Sequence, residues 1–593
     1  MLSTLQSLRL PHLSLALAGL MCAFPFLIPI HNYPLTTFYQ EWSSAMLGVL
    51  ALSLLAARDF WEKPKIPRIA LLPAALIAVV LLQWGLGKVA YFDQALMFVL
   101  YFLFAALLTM LGARLRECLG MAKLAQVLAI FLLVGAELSA LVGVLQHYRW
   151  HTFLDSVIVN KVSFGVYGNL AQPNHFANYI ALGLISLGLL YQQQRLKVGY
   201  VALLAVPLLF VLTLSGSRSA WLYLLLMITL AWVMARRDSV QRSLVRYSLL
   251  LLAGFGVMHL IVQLPFMAGA EGATNSMERL FSGGASGAVR LYLWRESWLI
   301  FTQSPWLGVG FGQYAWHHFQ LLPVLQQGSI VGLYNNAHNI VFHLAAETGL
   351  AGLLVLAVAL GIWLRGLRHA TLDVEHWWTY AVLGVLVIHS LLEYPMWYTY
   401  FMAIAALLLG ALDETHYRLE LRRVGRISVM AILLLGLVSL LQLFSGFRKL
   451  ETVLAIPRAS GVEREATMAR VRDGLIAVHS GSMLSAYAEL SLSSFIEVND
   501  KHLKEKLALN TRVMRFVPIG TVVYRQALLL AQANQLEQAK TLLVQAIWSY
   551  PQEFPRAHQL MEALAQKDPA HFSALLEFGL QKAQEYHHAV YKQ

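Results

Sequence analysis

Long apolar stretches recur along the first 445 residues of this chain, and they constrain its fold more than any motif. A helix needs about 20 mainly apolar residues to cross a bilayer, because the hydrocarbon offers backbone groups no hydrogen-bond partner. Thirteen candidate crossings, several of them short, follow one another: 12–30, 43–57, 69–86, 94–112, 124–146, 175–191, 198–213, 219–235, 247–265, 340–364, 378–392, 399–413 and 427–445. The sequence therefore predicts an all-α, polytopic membrane protein of about 13 transmembrane helices.

Composition supports a membrane protein with a soluble extension. The chain is 58% hydrophobic and 13% charged, whereas soluble domains carry about 25% charged residues. Beyond residue 445 charges return and apolar stretches of crossing length end. We expect a transmembrane domain over 1–445 and a soluble domain over 446–593. The first apolar span lacks a small-residue cleavage site, so we expect it to be retained, and the two cysteines, Cys22 and Cys118, predict no disulfide.

Lysine and arginine are concentrated in alternate loops. Cytoplasmic loops retain these residues, and the basic loops all face the cytoplasm if the N-terminus does: 58–68, 114–123, 195–197, 236–246, 365–368 and 418–426. The segments outside are then 147–173, 214–218, 266–339 and 446–593, with 266–339 as a large outer loop. The net charge of +12 is thus a topology signal, and we expect the bilayer, and no nucleic acid, as a partner.

The C-terminal segment predicts paired helices. Residues 523–551 carry small residues and a proline at positions typical of a tetratricopeptide repeat, namely Ala527, Ala539, Ala546 and Pro551. Asn534 and Gln535 form the predicted turn, and 555–587 is a candidate for a further pair. Stacked pairs of this kind usually bind another protein. A helical cap that only stabilises the membrane domain is the alternative.

A polar cluster, LYNNAHN at 333–339, leads directly into the apolar span at 340–364. Polar groups at the mouth of a membrane helix are costly unless they meet water, headgroups or a substrate. We therefore take His338 as the candidate catalytic residue, with Asn339 beside it as a candidate substrate contact. A neutral imidazole suits the deprotonation of a hydroxyl. His343 lies farther into the helix, one turn before Glu347, and we expect it to act through packing.

Arg218 occupies a very short loop, SGSRSA, between two apolar spans. Ser217 or Ser219 can cap the following helix, whose amino end favours an anion. These residues together predict a phosphate-binding site. The alternative is an arginine that extends to lipid headgroups.

A second arginine, Arg290, lies on a predicted amphipathic helix over 287–298, with Trp294 and Trp298 as candidate interfacial anchors. The helix places Arg290 and Arg295 towards headgroups or a bound pyrophosphate. The glycines of GVGFG, 308–312, follow no strand, so we interpret them as a tight turn and not as a nucleotide loop.

Two further segments place polar groups at helix ends. Gln172, Asn174 and His175 lie where a polar loop enters an apolar span, and they could bind sugar hydroxyls or a headgroup. Asn174 and Pro173 also suit a helix start. Glu393, in LLEYPMWYTY, lies at the outer end of another helix as a possible partner for an arginine or histidine.

Two arginines and a histidine favour one chemistry. If the donor is a sugar on polyprenyl pyrophosphate, its leaving group is already a stabilised anion, and arginines can neutralise it without a metal. Histidine then activates an acceptor hydroxyl. Asp373, Glu375 and His376 resemble metal ligands but fall on the predicted cytoplasmic side. We expect neither a metal nor a cofactor.

These segments resemble the O-antigen ligase and polymerase superfamily of membrane glycosyltransferases: SGSRSA, the Arg290 helix with PWLGVGFG, and NNAHNIVFHLAAETGLAG. GNLAQPNHFA, EYPMWY and the helical C-terminal extension are similar to the bacterial O-oligosaccharyltransferases that glycosylate pilins and other exported proteins. The likeness spans roughly residues 160–410.

The resemblance implies an undecaprenyl-pyrophosphate-linked glycan as donor and a Ser or Thr of an exported, pilin-like protein as acceptor. It places the active site, the 266–339 loop and the C-terminal domain on the periplasmic side of the bacterial inner membrane. His338 matches the family's essential histidine, and Arg218 and Arg290 match its conserved basic positions. Four more residues match motifs without an assigned role: Gln172, Asn174, His175 and Glu393.

Three alternatives remain open. An O-antigen ligase, which transfers to lipid A-core, shares the donor and the residues but usually lacks a C-terminal domain of this size. A Wzy-type polysaccharide polymerase extends glycan chains instead. A transporter predicts charges in the middle of its helices, whereas the polar clusters here lie at helix ends.

Overall fold

The computed structural model describes residues 2–162, 165–238, 241–267, 285–326, 330–369, 372–418, 421–457 and 463–591. These residues are almost wholly helical, which confirms the all-α class. The predicted outer loop 266–339 is described only in part, because 268–284 and 327–329 lie outside these ranges.

The first 454 residues form sixteen α-helices in the described ranges, besides short 3-10 helices. They are α1 Leu2–Met21, α2 Phe38–Ala51, α3 Arg58–Glu62, α4 Leu71–Gly85, α5 Phe92–Leu119, α6 Met121–Tyr148, α7 Pro173–Gln192, α8 Val198–Leu214, α9 Ser219–Ala235, α10 Arg242–Ile261, α11 Ala285–Gln303, α12 Tyr314–Leu325, α13 Ile340–Gly366, α14 Val374–Ser390, α15 Thr399–Leu412 and α16 Arg422–Leu454. Each of the thirteen predicted spans overlaps one of them.

Seven of the described helices are long and apolar enough to cross a membrane, and α8, α9 and α15 are shorter apolar helices. The chain is therefore a multi-pass membrane protein, while the number of thirteen crossings stays a prediction. The last of the seven, α16, continues to Leu454, past the predicted domain boundary at residue 445.

Helix α7 runs through the centre of the membrane part. Every residue from His175 to Leu190 is buried, among α6, α8, α9 and α14. Small residues allow the closest crossings, as is usual between membrane helices. A Cβ added at Gly112 of α5 would lie 1.9 Å from the Leu407 carbonyl oxygen of α15, and one at Gly410 would lie 1.9 Å from the Thr109 carbonyl oxygen.

Three of the basic loops meet at one end of the helices. Strand β1, Lys65–Pro67, pairs antiparallel with β2, His416–Arg418. Arg116 bonds to Glu414 at 2.8 Å, and Lys65 Nζ lies 2.9 Å from Glu117. Three of the six loops predicted to be cytoplasmic therefore meet on one side of the molecule.

The C-terminal residues form seven more described helices. They are α17 Glu463–Gly481, α18 Ser485–Leu492, α19 Leu503–Phe516, α20 Gly520–Gln532, α21 Leu536–Ser549, α22 Phe554–Lys567 and α23 Pro569–Tyr591. The predicted pair at 523–551 corresponds to α20 and α21, whose turn holds Asn534 at φ 60°. Ala527, Ala539 and Ala546 are buried as expected, while the assignment as a tetratricopeptide repeat stays a prediction.

Candidate functional site

Glu393 accepts hydrogen bonds from three side chains that are far apart in sequence. Its side chain is 3% exposed. Asn174 Nδ2 donates to Oε1 at 2.7 Å and Arg290 Nη2 donates to the same oxygen at 2.5 Å. His338 Nδ1 lies 2.8 Å from Oε2. The structure thus brings together four residues that the sequence analysis selected separately.

Three of these residues, Asn174, His338 and Glu393, lie at or near the end of a helix. Asn174 is in the first turn of α7, which begins at Pro173, and His338 precedes the N-cap of α13. Glu393 follows α14, and its N–H donates to the His389 carbonyl oxygen at 2.7 Å. Residues at the amino ends of α7 and α13 therefore both contact the carboxylate through their side chains, and helix amino ends favour negative charge.

His338 is held in an unusual backbone conformation. Its φ is 51°, in the left-handed region, which costs a residue other than glycine about 1–3 kcal/mol. Its N–H donates to Asn336 Oδ1 at 3.1 Å, and its ring packs edge-on against Tyr394 at 5.0 Å. Strain of this kind concentrates at functional sites, where the surrounding contacts maintain it.

The charge of Glu393 determines which nitrogen of His338 carries a proton. Burial raises the pKa of Glu393, but the hydrogen bond and charge of His338 and the charge of Arg290 outweigh burial and lower that pKa to about 2. An ionised carboxylate only accepts hydrogen bonds, so the network assigns a proton to His338 Nδ1. In the neutral imidazole Nε2 then keeps its lone pair, and no described group hydrogen bonds to it.

A second polar group lies beneath this site. His175 Nδ1 is 2.8 Å from His389 Nε2, and the Tyr223 hydroxyl is 3.0 Å from His389 Nδ1. All three side chains are buried. His175 therefore has its partner inside the protein, and its predicted contact with a substrate stays a prediction.

Three family models match successive parts of the chain. A protein glycosylation ligase model matches residues 166–191, an O-antigen ligase model matches 203–357, and a model of the C-terminal part of a membrane-bound virulence-factor polymerase matches 377–565. Asn174 falls in the first match, His338 in the second and Glu393 in the third. The residues that meet at Glu393 thus all lie in segments that match these models.

Two similar proteins come from Acinetobacter baylyi. Its general O-oligosaccharyltransferase is 30% identical over 441 residues, which cover 72% of this chain and 75% of the relative. The chain belongs to the O-oligosaccharyltransferase family. The ComP-specific O-oligosaccharyltransferase is 24% identical over 396 residues, covering 66% of this chain and 70% of that protein. The predicted family is confirmed, and the chain is a glycosyl-transferring enzyme of the membrane.

In this oligosaccharyltransferase, Gln172 and Asn339 cap helices. Gln172 Oε1 accepts the His175 N–H at 2.5 Å at the start of α7. Asn339 Oδ1 accepts the Val341 N–H at 3.0 Å, and its Nδ2 donates to the Leu391 carbonyl oxygen at 3.1 Å. Asn339 therefore joins the His338 segment to the Glu393 segment. Substrate contacts of both side chains stay predictions.

Arg218 itself occupies the N-cap position of α9, and its side chain makes no capping bond. The predicted cap by a serine is therefore wrong. Ser217 instead donates through Oγ to Asn174 Oδ1 at 2.9 Å. Asn174 thus connects Glu393 to the segment that carries Arg218, a link that the sequence analysis missed.

The glycines of 308–312 form the predicted tight turn, with φ of 65° at Gly308, 121° at Gly310 and 76° at Gly312. The turn wraps around Glu347, which accepts the N–H of Gly312 at 2.9 Å. His343 Nε2 lies 3.2 Å from Glu347, which confirms the predicted pair.

One of the two predicted interfacial tryptophans lies at the surface. Trp298 is exposed, as expected of an interfacial anchor, but the ring of Trp294 stacks on Phe342 at 5.4 Å and so packs within the protein.

The residues that resemble metal ligands have protein partners. Asp373 bonds to His376 Nδ1 at 2.6 Å, and Glu375 accepts from Gln193 at 2.7 Å. Within the described ranges, no group of three His, Cys, Asp or Glu residues is placed to hold a metal ion.

Proposed function

We propose that this oligosaccharyltransferase transfers a glycan from undecaprenyl pyrophosphate to a Ser or Thr hydroxyl of an exported, pilin-like protein, on the periplasmic face of the inner membrane and without a metal. One observation carries the proposal. A buried, ionised Glu393 holds His338 through Nδ1 and Arg290 through its guanidinium. This arrangement places a base, His338, and a cation, Arg290, next to each other.

In this proposal His338 is the base that activates the acceptor hydroxyl. With Nδ1 donating to Glu393, the Nε2 lone pair of His338 is available to take the proton of a Ser or Thr hydroxyl. The side chain is 25% exposed, so an acceptor can reach it. As the proton arrives, the imidazole becomes a cation, and the adjacent carboxylate stabilises it.

In this proposal Arg290 is the cation that binds the pyrophosphate of the donor. The hydroxyl oxygen forms a bond to the anomeric carbon while the bond from that carbon to the pyrophosphate oxygen breaks, and undecaprenyl pyrophosphate leaves. Arg290 is 21% exposed and has five N–H donors, so it can bond to Glu393 and to pyrophosphate together. Arg218, next to Ser217, is the second candidate for this anion.

Orientation is part of the same proposal. Four residues of the site come from segments that the distribution of lysine and arginine places on the side opposite the cytoplasm. These segments meet through Asn174, Ser217, His338 and Glu393. The basic loops around β1 and β2 meet elsewhere, on the side expected to face the cytoplasm. This separation supports a periplasmic site.

Reconstitution tests the proposal. Purified protein in lipid nanodiscs, with an undecaprenyl-pyrophosphate-linked glycan and a Ser-containing acceptor protein, should yield a glycopeptide by mass spectrometry, with equal yield in EDTA. Turnover that requires added divalent metal would remove the metal-free step. Absence of glycopeptide would reject the acceptor class.

The second candidate is O-antigen ligation to lipid A-core, which the O-antigen ligase match over 203–357 favours. The same purified protein, given lipid A-core in place of the acceptor protein, distinguishes the two. We expect transfer to the protein acceptor to dominate. Glycan transfer only to lipid A-core would establish the ligase.

A further inference from the structure

Helix α12, Tyr314–Leu325, packs into the C-terminal helical domain, residues 463–591. Phe319 is 1% exposed and belongs to the same hydrophobic cluster as Val513, Val523 and Leu542, which come from α19, α20 and α21. Helix α12 packs mainly on α21. Stacked helix pairs usually offer such a surface to another protein, but here the chain's own helix covers part of it.

Trp548 of α21 makes a second connection. It packs against a hydrophobic cluster that includes Tyr292 and Leu293 of α11 and Ile330 of the loop before His338. Next to it, the Gly332 N–H donates to the Ser549 carbonyl oxygen at 2.8 Å. Tyr292 is two residues from Arg290, so α21 contacts both segments that supply the candidate site.

On its other side α12 is fixed by two buried carboxylates. His318 Nδ1 lies 2.9 Å from Glu296 of α11, and both side chains are 0% exposed. Glu347 of α13 accepts the Tyr314 N–H at 3.0 Å. Buried charges are costly without their partners, so α12 is firmly connected to the helices that carry Arg290 and follow His338.

The domain is also attached to the loop that follows α4. The Tyr91 hydroxyl donates to Glu489 Oε2 at 2.6 Å, and Arg512 donates to both oxygens of Glu489 at 2.8 Å and 2.5 Å. Arg515 donates to the Gly87 carbonyl oxygen at 3.1 Å. Because this attachment lies apart from Trp548, the loss of one aromatic contact should not release the domain.

We infer that the C-terminal helical domain holds residues 314–326 and 330–338 in their catalytic arrangement, with Phe319 and Trp548 as positioning residues for His338 and Arg290. The residues between α12 and α13 that the structure describes have no helix or strand of their own, and fixing such a backbone costs about 1–2 kcal/mol per residue. Contacts from α21 offset part of that cost. The inference rests on the proposed function and adds that the domain serves turnover with every acceptor.

The test compares Trp548→Ala and Phe319→Ala with Leu560→Ala and Leu580→Ala, two exposed leucines of the same domain. The assay uses the full-length protein, undecaprenyl-pyrophosphate-linked glycan and a short Ser peptide. We expect kcat to fall about 10- to 100-fold in the first pair, the scale of a misplaced catalytic group, with KM for donor and peptide unchanged. The leucine variants and Trp548→Phe should stay near wild type.

Hydrogen exchange shows whether the domain remains folded. In Trp548→Ala, peptides covering 330–339 should exchange faster while those of α20 stay protected. If α20 also loses protection, the kinetic test uses Trp548→Leu in place of Trp548→Ala, because leucine keeps more of the side-chain volume. A raised KM for the peptide with unchanged kcat would overturn the inference in favour of acceptor docking, and wild-type kinetics would overturn it outright. An inactive wild type would instead count against the proposed function.

Discussion

His338 Nδ1 lies 2.8 Å from Glu393 Oε2, and the other oxygen of that buried carboxylate accepts from Arg290 at 2.5 Å. A carboxylate in this position orients an imidazole and stabilises the cation that forms when the imidazole takes a proton. The predicted pairing of Glu393 with an arginine or a histidine is confirmed for both, and the charge of Arg290 helps to keep Glu393 ionised. Catalysis should therefore depend on the carboxylate as strongly as on the base.

Glu393→Gln should lower kcat about 100-fold or more, because an uncharged amide keeps the size of the side chain but no longer stabilises the imidazolium. Steady-state transfer to an acceptor peptide measures the effect. Glu414→Gln is the matched control, since Glu414 pairs with Arg116 at the basic-loop end of the molecule. Equal turnover of the two variants would remove Glu393 from the mechanism.

Arg290→Ala should nearly abolish transfer while the amount of protein in the membrane stays close to normal. Arg290→Lys should restore only part of the activity, because an ammonium cannot reproduce the planar guanidinium contacts. Arg246→Ala is the control, as Arg246 is exposed and belongs to the basic segment 236–246. Donor binding separates the effects: a raised KM for the lipid-linked glycan supports pyrophosphate contact, and an unchanged donor KM with lowered kcat assigns Arg290 to Glu393 alone.

The free energy of unfolding at acid pH should depend on the ionisation of Glu393. Its pKa is lowered from about 4.5 to about 2, so its contribution of roughly 3 kcal/mol is complete above pH 4.5 and disappears as the pH falls towards 2. The difference in unfolding free energy between wild type and Glu393→Gln should shrink as the pH falls from 4.5 towards 2. A difference that stays the same across that acid range would contradict the lowered pKa of Glu393.

The helices were predictable because their signal is local. Apolar spans and the Pro173 start of α7 depend on residues close in sequence, and each predicted span overlaps a helix. The histidine, the arginine and the carboxylate were each selected by their place at a helix mouth. An arginine or histidine partner for Glu393 was predicted, but its identity was not, since side-chain pairs separated by 55 and 103 residues leave no periodic pattern.

The same reason explains what sequence analysis missed. The buried pair of Glu296 and His318 lies 22 residues apart, a separation that no helical periodicity indicates. His389 did carry a signal, because it stands one helical turn before Glu393 at the end of an apolar span. The docking of α12 into the C-terminal domain depends on tertiary packing, which overrides any local pattern.

Membrane orientation can be tested with a native residue. Cys118 is exposed in the segment 114–123, which is predicted to be cytoplasmic, whereas Cys22 is buried. In intact cells, a membrane-impermeant maleimide should label a Lys501→Cys variant at its new thiol in the C-terminal domain and should leave Cys118 unlabelled until the membrane is permeabilised. Labelling of Cys118 in intact cells, with the thiol introduced at position 501 protected, would invert the proposed topology.

The central claim is that His338 activates the acceptor hydroxyl. Loss of a general base costs about 10²–10⁴ in rate, so purified His338→Ala should retain the lipid-linked donor and lose nearly all transfer to a Ser peptide. His151→Ala, at an almost fully exposed histidine, is the control and should match wild type. The decisive measurement is the single-turnover rate with donor prebound. A fall of at least about 100-fold is the predicted result, and a rate within a few fold of wild type would contradict the account and leave the arginines to explain catalysis.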